Sequence, residues 1–177
     1  KGLTLRMFVE TGSYMGDTAA FVADKFEDVF TIEQSTPIYM KTANRLKQYS
    51  NVNALLGSSP EMLKALQPSL TEESVVYWLD AHWCGGETSK ADGECPLLEE
   101  LAAIGSLNAE SVILIDDARY FISPPPNVHQ ASDWPNLDQV MSAFASMTRG
   151  THQTWVINDV IIYAPISVAE HVAAYGQ

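Results

Sequence analysis

Five carboxylates and one imidazole stand where side chains commonly do chemistry, at the ends of apolar runs. Glu10 closes "RMFVE", Glu33 closes "VFTIE", Asp80 closes "VYWLD", and Asp116 with Asp117 closes "VILIDD"; His82 follows Asp80 by two positions. If these runs are neighbouring strands of a parallel sheet, Asp80, Asp116 and Asp117 share one rim. Three carboxylates so placed repel one another unless something positive sits among them. A hard divalent cation, Mg2+ or Mn2+, answers that need, since it takes carboxylate and water oxygens. It would hold two oxygens of a substrate diol and lower the hydroxyl pKa. The alternative is that one Asp caps a helix, one pairs with Arg119, and no metal is held. His82 is the candidate general base, because an imidazole of pKa about 6.5 accepts a proton at working pH. A histidine at a strand end equally serves as a structural donor.

The stretch "VETGSYMGDT" places Gly12 and Gly16 where the first strand turns into its helix. Backbone can approach a ligand there without a Cβ in the way. The spacing is Gly-x-x-x-Gly, without the Gly-Lys-Ser/Thr of a triphosphate cradle. Glu10, immediately before the loop, would repel a pyrophosphate and suit an ammonium group. Glu33 ends the second strand, where a side chain accepts hydrogen bonds from a ribose diol. An adenosine ribose with an amino-acid end describes S-adenosylmethionine (SAM) better than NAD.

Four stretches, "VETGSYMGDT", "VFTIEQS", "VYWLDAHWCGG" and "VILIDDARYF", resemble the class I SAM-dependent methyltransferases. The resemblance is to a small bacterial group and, more distantly, to the catechol and macrolide-sugar O-methyltransferases. It runs from about Val9 to Ile162, strong over the cofactor half and weak over the substrate half. It implies that Glu10, Gly12 and Gly16, with Ser13, Asp17 and Thr18 of the same loop, line the methionine and ribose end. It places Glu33 and Gln34 at the ribose, Ser58 and Ser59 near the adenine, and Asp80 beside the cofactor. Related sequences often carry Asp where this chain has Ser58. The catechol-type enzymes use an Asp after the fourth strand and an Asp-Asn pair after the fifth. Asp80, Asp116 and Asp117 match that pattern as metal ligands, with Asp117 in place of the Asn. Those enzymes also place a lysine three residues after the first Asp; Trp83 stands there in this chain, which leaves His82 and Asp80 as catalytic candidates.

Positioning these groups requires strands of matched register. The runs Leu3–Glu10, Asp28–Glu33, Asn51–Gly57, Ser74–Asp80 and Ser111–Asp116 have strand length and composition. Between them, Thr18 to Phe26 has near-helical apolar spacing. Ser35 or Thr36 before Pro37, Ser59 before Pro60, and Pro96 mark three further helix starts. Strand, helix, strand at this rhythm is an α/β, doubly wound, mostly parallel Rossmann-like sheet. Pro124 to Pro126 head a long loop to Trp134, a helix follows from about Leu137 to Met147, and Asn158-Asp159 between β-branched runs reads as the turn of a C-terminal antiparallel hairpin. Residues 1–177 form one domain on this reading. The chain opens at Lys1 rather than Met, as an N-terminally trimmed piece would.

The formal charge of -12 argues against a nucleic-acid surface or an anionic membrane as partner, and for a small-molecule substrate. Oligomerisation stays open. No apolar run reaches the roughly 20 residues of a membrane span, no signal peptide is visible, and two cysteines, Cys84 and Cys95, suit a reducing cytoplasm. With His82 they form a weak zinc alternative in the loop "HWCGGETSKADGEC". That loop and the proline-rich one are the expected substrate walls, with Trp83, Tyr120, Phe121 and Trp134 as stacking surfaces. The sequence points to methyl transfer from SAM to a small hydroxylated acceptor, sugar-like or aromatic, with divalent-metal assistance. A non-catalytic SAM or nucleoside-binding module and an NAD-dependent redox enzyme are the alternatives.

Overall fold

A computed structural model describes residues 2–82 and 93–176. Seven strands form one sheet: β1 (Met7–Thr11), β2 (Asp28–Glu33), β3 (Val52–Leu56), β4 (Val75–Leu79), β5 (Val112–Ile115), β6 (His152–Ile157) and β7 (Val160–Pro165). Their order is β3-β2-β1-β4-β5-β7-β6, and β7 alone runs antiparallel to its neighbours. The chain order reverses between β1 and β4, so this edge-to-centre crossover opens a cleft beyond the carboxyl ends of the strands.

The first strand is shorter than its apolar run. Met7 is opposite both Asp28 and Val75, and Arg6 before it still donates its amide to the Ser74 carbonyl at 3.0 Å and accepts the Glu27 amide at 2.8 Å. Helix α1 (Asp17–Val22) ends before Phe26 because it buries only Ala19 and Val22; the chain then turns so that Phe26 meets Phe8, ring centroids 5.3 Å apart. Helices α2 (Thr36–Leu46) and α3 (Ser59–Leu70) begin at Ser35 and Ser58, each with Pro in its first turn. The cap of α3 is thus Ser58, one residue before the expected Ser59.

Helix α4 (Leu97–Ile104) follows the undescribed segment, and α5 (Arg119–Ile122) is a single turn after β5. Helix α6 (Leu137–Met147) has the boundaries its sequence implies, fixed by a reciprocal capping box between Asn136 and Gln139. Helix α7 (Ala169–Tyr175) ends the chain. The larger core packs α3, α4 and α6 against one sheet face through Val9, Leu63, Leu79, Leu101, Ile113, Val140 and Phe144. The smaller one packs α1 and α2 on the other face through Phe8, Ala19, Val29 and Leu46. Residues alternate across β1, so Glu10 points toward the α1 face and Thr11 toward the α3–α4 face.

No described helix is long and apolar enough to cross a membrane.

Candidate active site at the carboxyl rim

The β1–α1 loop turns tightly because both its glycines are left-handed: Gly12 has φ +83° and Gly16 φ +76°. Its amides face inward. Those of Gly12 and Ser13 donate to the Ile32 carbonyl at 2.9 and 3.0 Å, that of Gly16 to the Ser13 carbonyl at 2.7 Å, and that of Tyr14 to Glu33 Oε2 at 3.0 Å. These four groups are spent within the protein. The loop's acids sit beneath and beside it.

Glu10 is 2% exposed under the loop. The Thr31 hydroxyl lies 2.5 Å from Glu10 Oε2 and 2.5 Å from the Ser13 hydroxyl. Burial pushes the Glu10 carboxyl up to about 7, against hydrogen bonds from Thr31 and Thr18 that favour its ionised form. Glu33 is buried at the mouth and accepts from Tyr14 N–H and, at 2.8 Å, from Ser35 N–H. Each of its oxygens keeps a second lone pair, as a ribose diol requires. Gln34 next to it is exposed. Ser13 is a strut under the loop, while Asp17 turns outward to Arg45, 2.6 Å away. Thr18 faces Glu10. Ser58 is half-buried at the start of α3 and Ser59 is buried there.

Asp80 joins this loop to the next strand. The Gly12 backbone lies against it so closely that a Cβ on Gly12 would meet the Asp80 carbonyl oxygen at 2.3 Å. The Asp80 amide is 3.2 Å from the Thr11 carbonyl and 3.2 Å from the Thr11 hydroxyl. Its carboxyl is raised to about 8, by burial first and then by the charges of Asp116, Asp117 and Glu10. The acids therefore share one electrostatic environment, as their strand positions imply.

A divalent cation is one remedy for their repulsion, and Arg119 is another. Among the described residues no group of three His, Cys, Asp or Glu side chains converges to hold one. The positive charge at the rim comes from Arg119, whose Nη1 is 2.7 Å from Asp117 Oδ1. The other Asp117 oxygen is 2.6 Å from His82 Nε2. Asp116 Oδ1 accepts the Asp117 amide at 2.9 Å. Within the expected metal set of Asp80, Asp116 and Asp117, the Asp117 carboxylate is thus already paired with Arg119 and His82.

His82 is buried, and burial lowers its pKa despite the neighbouring acids. A carboxylate only accepts, so the hydrogen bond to Asp117 puts a proton on Nε2. Nδ1 lies 3.6 Å from Asp80 Oδ1. The Asp80 side chain is 32% exposed, so it stands between His82 and the cleft.

Of the expected wall, Trp83 lies outside the described residues, as does Cys84 of the zinc alternative. Phe121 and Trp134 are core residues, 3% and 6% exposed, and only Tyr120 remains half-buried. Burial pushes the Cys95 thiol up to about 12. Two buried acids had no signal in the sequence beyond their type. Glu94 Oε2 accepts from His129 Nδ1 (3.1 Å), the Gln130 amide (3.0 Å) and Trp134 Nε1 (3.1 Å). Glu100, on α4, is 1% exposed beside Ser59 and Thr11; its Oε1 has no hydrogen-bond partner, and burial raises its carboxyl to about 7.

No family model and no curated protein sequence matches the chain. Solved structures do. A protein assigned as a methyltransferase from Streptococcus mutans, in complex with SAH, superposes with a TM-score of 0.60 at 12% identity, over 93% of this chain and 92% of that one. A protein assigned as a caffeoyl-CoA O-methyltransferase from Staphylococcus aureus gives 0.58 at 16% identity, covering 91% and 76%. An rRNA methylase from Streptococcus thermophilus gives 0.53 at 15% identity, covering 91% and 87%. The nearly parallel seven-stranded sheet of this chain is the fold of the class I SAM-dependent methyltransferases.

Proposed function

We propose that the protein transfers a methyl group from SAM to a small hydroxylated acceptor. The observation that carries this reading is the pair of acids at the β1–α1 loop, Glu10 buried beneath it and Glu33 holding it at the Tyr14 amide. Such a site repels phosphates and suits a ligand with a ribose diol and positive charge. SAM, when bound, supplies an electrophilic methyl on a sulfonium.

The protein's own residues would bind, orient and move a proton. Glu33 accepts from the ribose hydroxyls, and Glu10 favours an ammonium. Asp80, exposed to the cleft, takes the acceptor's hydroxyl proton; a cation beside it favours its ionised form, offsetting the repulsion that raises it. His82 stands behind Asp80, held through Nε2 by Asp117, with Nδ1 3.6 Å from the Asp80 carboxyl, which keeps the proton. The divalent cation plays no part in this scheme, because Arg119 and His82 occupy Asp117. Two features support a small acceptor over a nucleic acid: the charge of -12 and the acids on the rim. The likeness to an rRNA methylase makes this a point to test with RNA oligonucleotides.

S-adenosylhomocysteine (SAH) should raise the melting temperature, since a ligand that binds only the native state stabilises it. Glu33→Ala removes the ribose acceptor together with the clamp on Tyr14 and Ser35, and affinity should fall more than tenfold, about 1.4 kcal/mol or more. Absence of a thermal shift in the wild type would sink the cofactor assignment.

A further inference from the structure

We infer that Asp159, in the turn of the β6–β7 hairpin, is a positioning residue that fixes the ring of His82 through Arg119 and Asp117. The inference rests on the catalytic reading of His82. Three atoms of Asp159 receive the chain that follows Asp117. Its carbonyl accepts the Ala118 amide at 2.8 Å, its Oδ1 accepts the Arg119 amide at 2.9 Å, and its Oδ2 pairs with Arg119 Nη1. The same Nη1 reaches Asp117 Oδ1 at 2.7 Å, and Asp117 Oδ2 reaches His82 Nε2 at 2.6 Å.

An exposed ion pair alone holds little, and the Arg119 side chain is 51% exposed. The two backbone bonds change that, because they fix the peptide units on either side of Ala118 irrespective of salt. Asp117 itself has φ +55°, a left-handed conformation that a non-glycine residue keeps only when its surroundings over-determine it. The clamp from Asp159 on one side and the Asp116 side chain on the other supply that determination.

The sequence carries an independent mark of the same role. Both turn residues are left-handed, Asn158 at φ +50° and Asp159 at φ +66°. The second position of such a turn is where glycine is favoured, and Asn-Gly is the common pair. Aspartate there works against the turn, yet its side chain is what reaches Arg119. The residue serves the rim rather than the hairpin.

The test uses the whole chain labelled with 15N-histidine and long-range 1H–15N correlation of the imidazoles. The four histidines are separated by comparison with His82→Gln. In the wild type His82 should be the Nε2–H tautomer. In Asp159→Gly the two ring nitrogen shifts should move toward each other as the ring samples both tautomers. The melting temperature should hold or rise, since glycine suits the turn, and SAH affinity should stay within twofold. Arg119→Gln removes the guanidinium arm alone, leaves the Ala118 and Arg119 amides on Asp159, and should give a smaller change of the ring shifts in the same direction even if Asp159→Gly folds poorly. Unchanged His82 shifts in both variants, or an Nδ1–H ring in the wild type, would overturn the inference. A wild type that does not bind SAH would instead remove the cofactor reading, and the ring shifts would still decide the tether.

Discussion

Substituting Gly12 with alanine tests how closely the first loop is fitted against the fourth strand. At φ +83° an L side chain costs about 1–2 kcal/mol in backbone conformation. The new Cβ would also lie 2.3 Å from the Asp80 carbonyl oxygen, 2.9 Å from its carbon and 3.2 Å from Ala81 Cα. All three are backbone atoms, held by the Asp80 amide's bonding to Thr11, so no flexible side chain can move aside. Overpacking of this kind adds about 1–3 kcal/mol. The sum, about 2–5 kcal/mol, corresponds to a fall in melting temperature of roughly 4–20 °C for a domain of this size. Gly150→Ala is the control, because Gly150 has φ +76° and nothing within 4 Å of its would-be Cβ. It should lose only the conformational part. Differential scanning calorimetry of the two variants measures the steric difference directly. Equal losses at Gly12 and Gly150 would refute the close approach and with it the geometry that brings Asp80 to the loop.

Two further outcomes follow from the buried acids and from the rim. Burial raises the folded-state carboxyls of Glu100 and Glu10 from 4.5 to about 7, and that of Asp80 from 3.8 to about 8. The native state thus keeps protons that the unfolded chain has released, so stability is present in acid and is lost as pH rises from about 4.5 to about 8. Glu100→Gln, neutral and of nearly the same volume, should recover up to about 3 kcal/mol at pH 8 and little at pH 5; melting curves of both proteins that stay parallel across this range would contradict it. Calorimetric titration of Mn2+ should be flat with wild type, with or without SAH, and EDTA should leave the melting temperature unchanged, whereas saturable binding abolished by Asp116→Asn would restore the metal.

The sheet was legible because buried parallel strands write themselves as continuous Val/Ile/Leu runs with a polar residue at the rim. "DVFTIE" matched the limits of β2 to the residue, and the helix read from about Leu137 to Met147 has those limits in α6. Boundaries failed where a neighbour decides them: β1 starts at Met7, where its register with both Asp28 and Val75 begins. Within the site, types and order told which acids meet but not what neutralises them. Arg119 follows Asp117 by two residues, and only the turn after β5 shows that its guanidinium folds back onto that carboxylate. Repulsion on a rim has several remedies, and composition does not distinguish a cation from an arginine. Glu94 and Glu100 escaped notice because single acids in polar or helical stretches look solvated until packing buries them.

Glu94 couples two parts of the chain whose evolution would otherwise be independent. One of its oxygens gathers donors from His129, Gln130 and Trp134, so the segment leading into α4 and the loop after the three prolines share a single anchor. Loops over a rim are where a scaffold usually exchanges one acceptor preference for another by insertion or replacement. Here a graft of residues 129–134 from another protein would take three donors from one buried carboxylate at once, so the α4 approach and the post-proline loop travel as a two-piece unit.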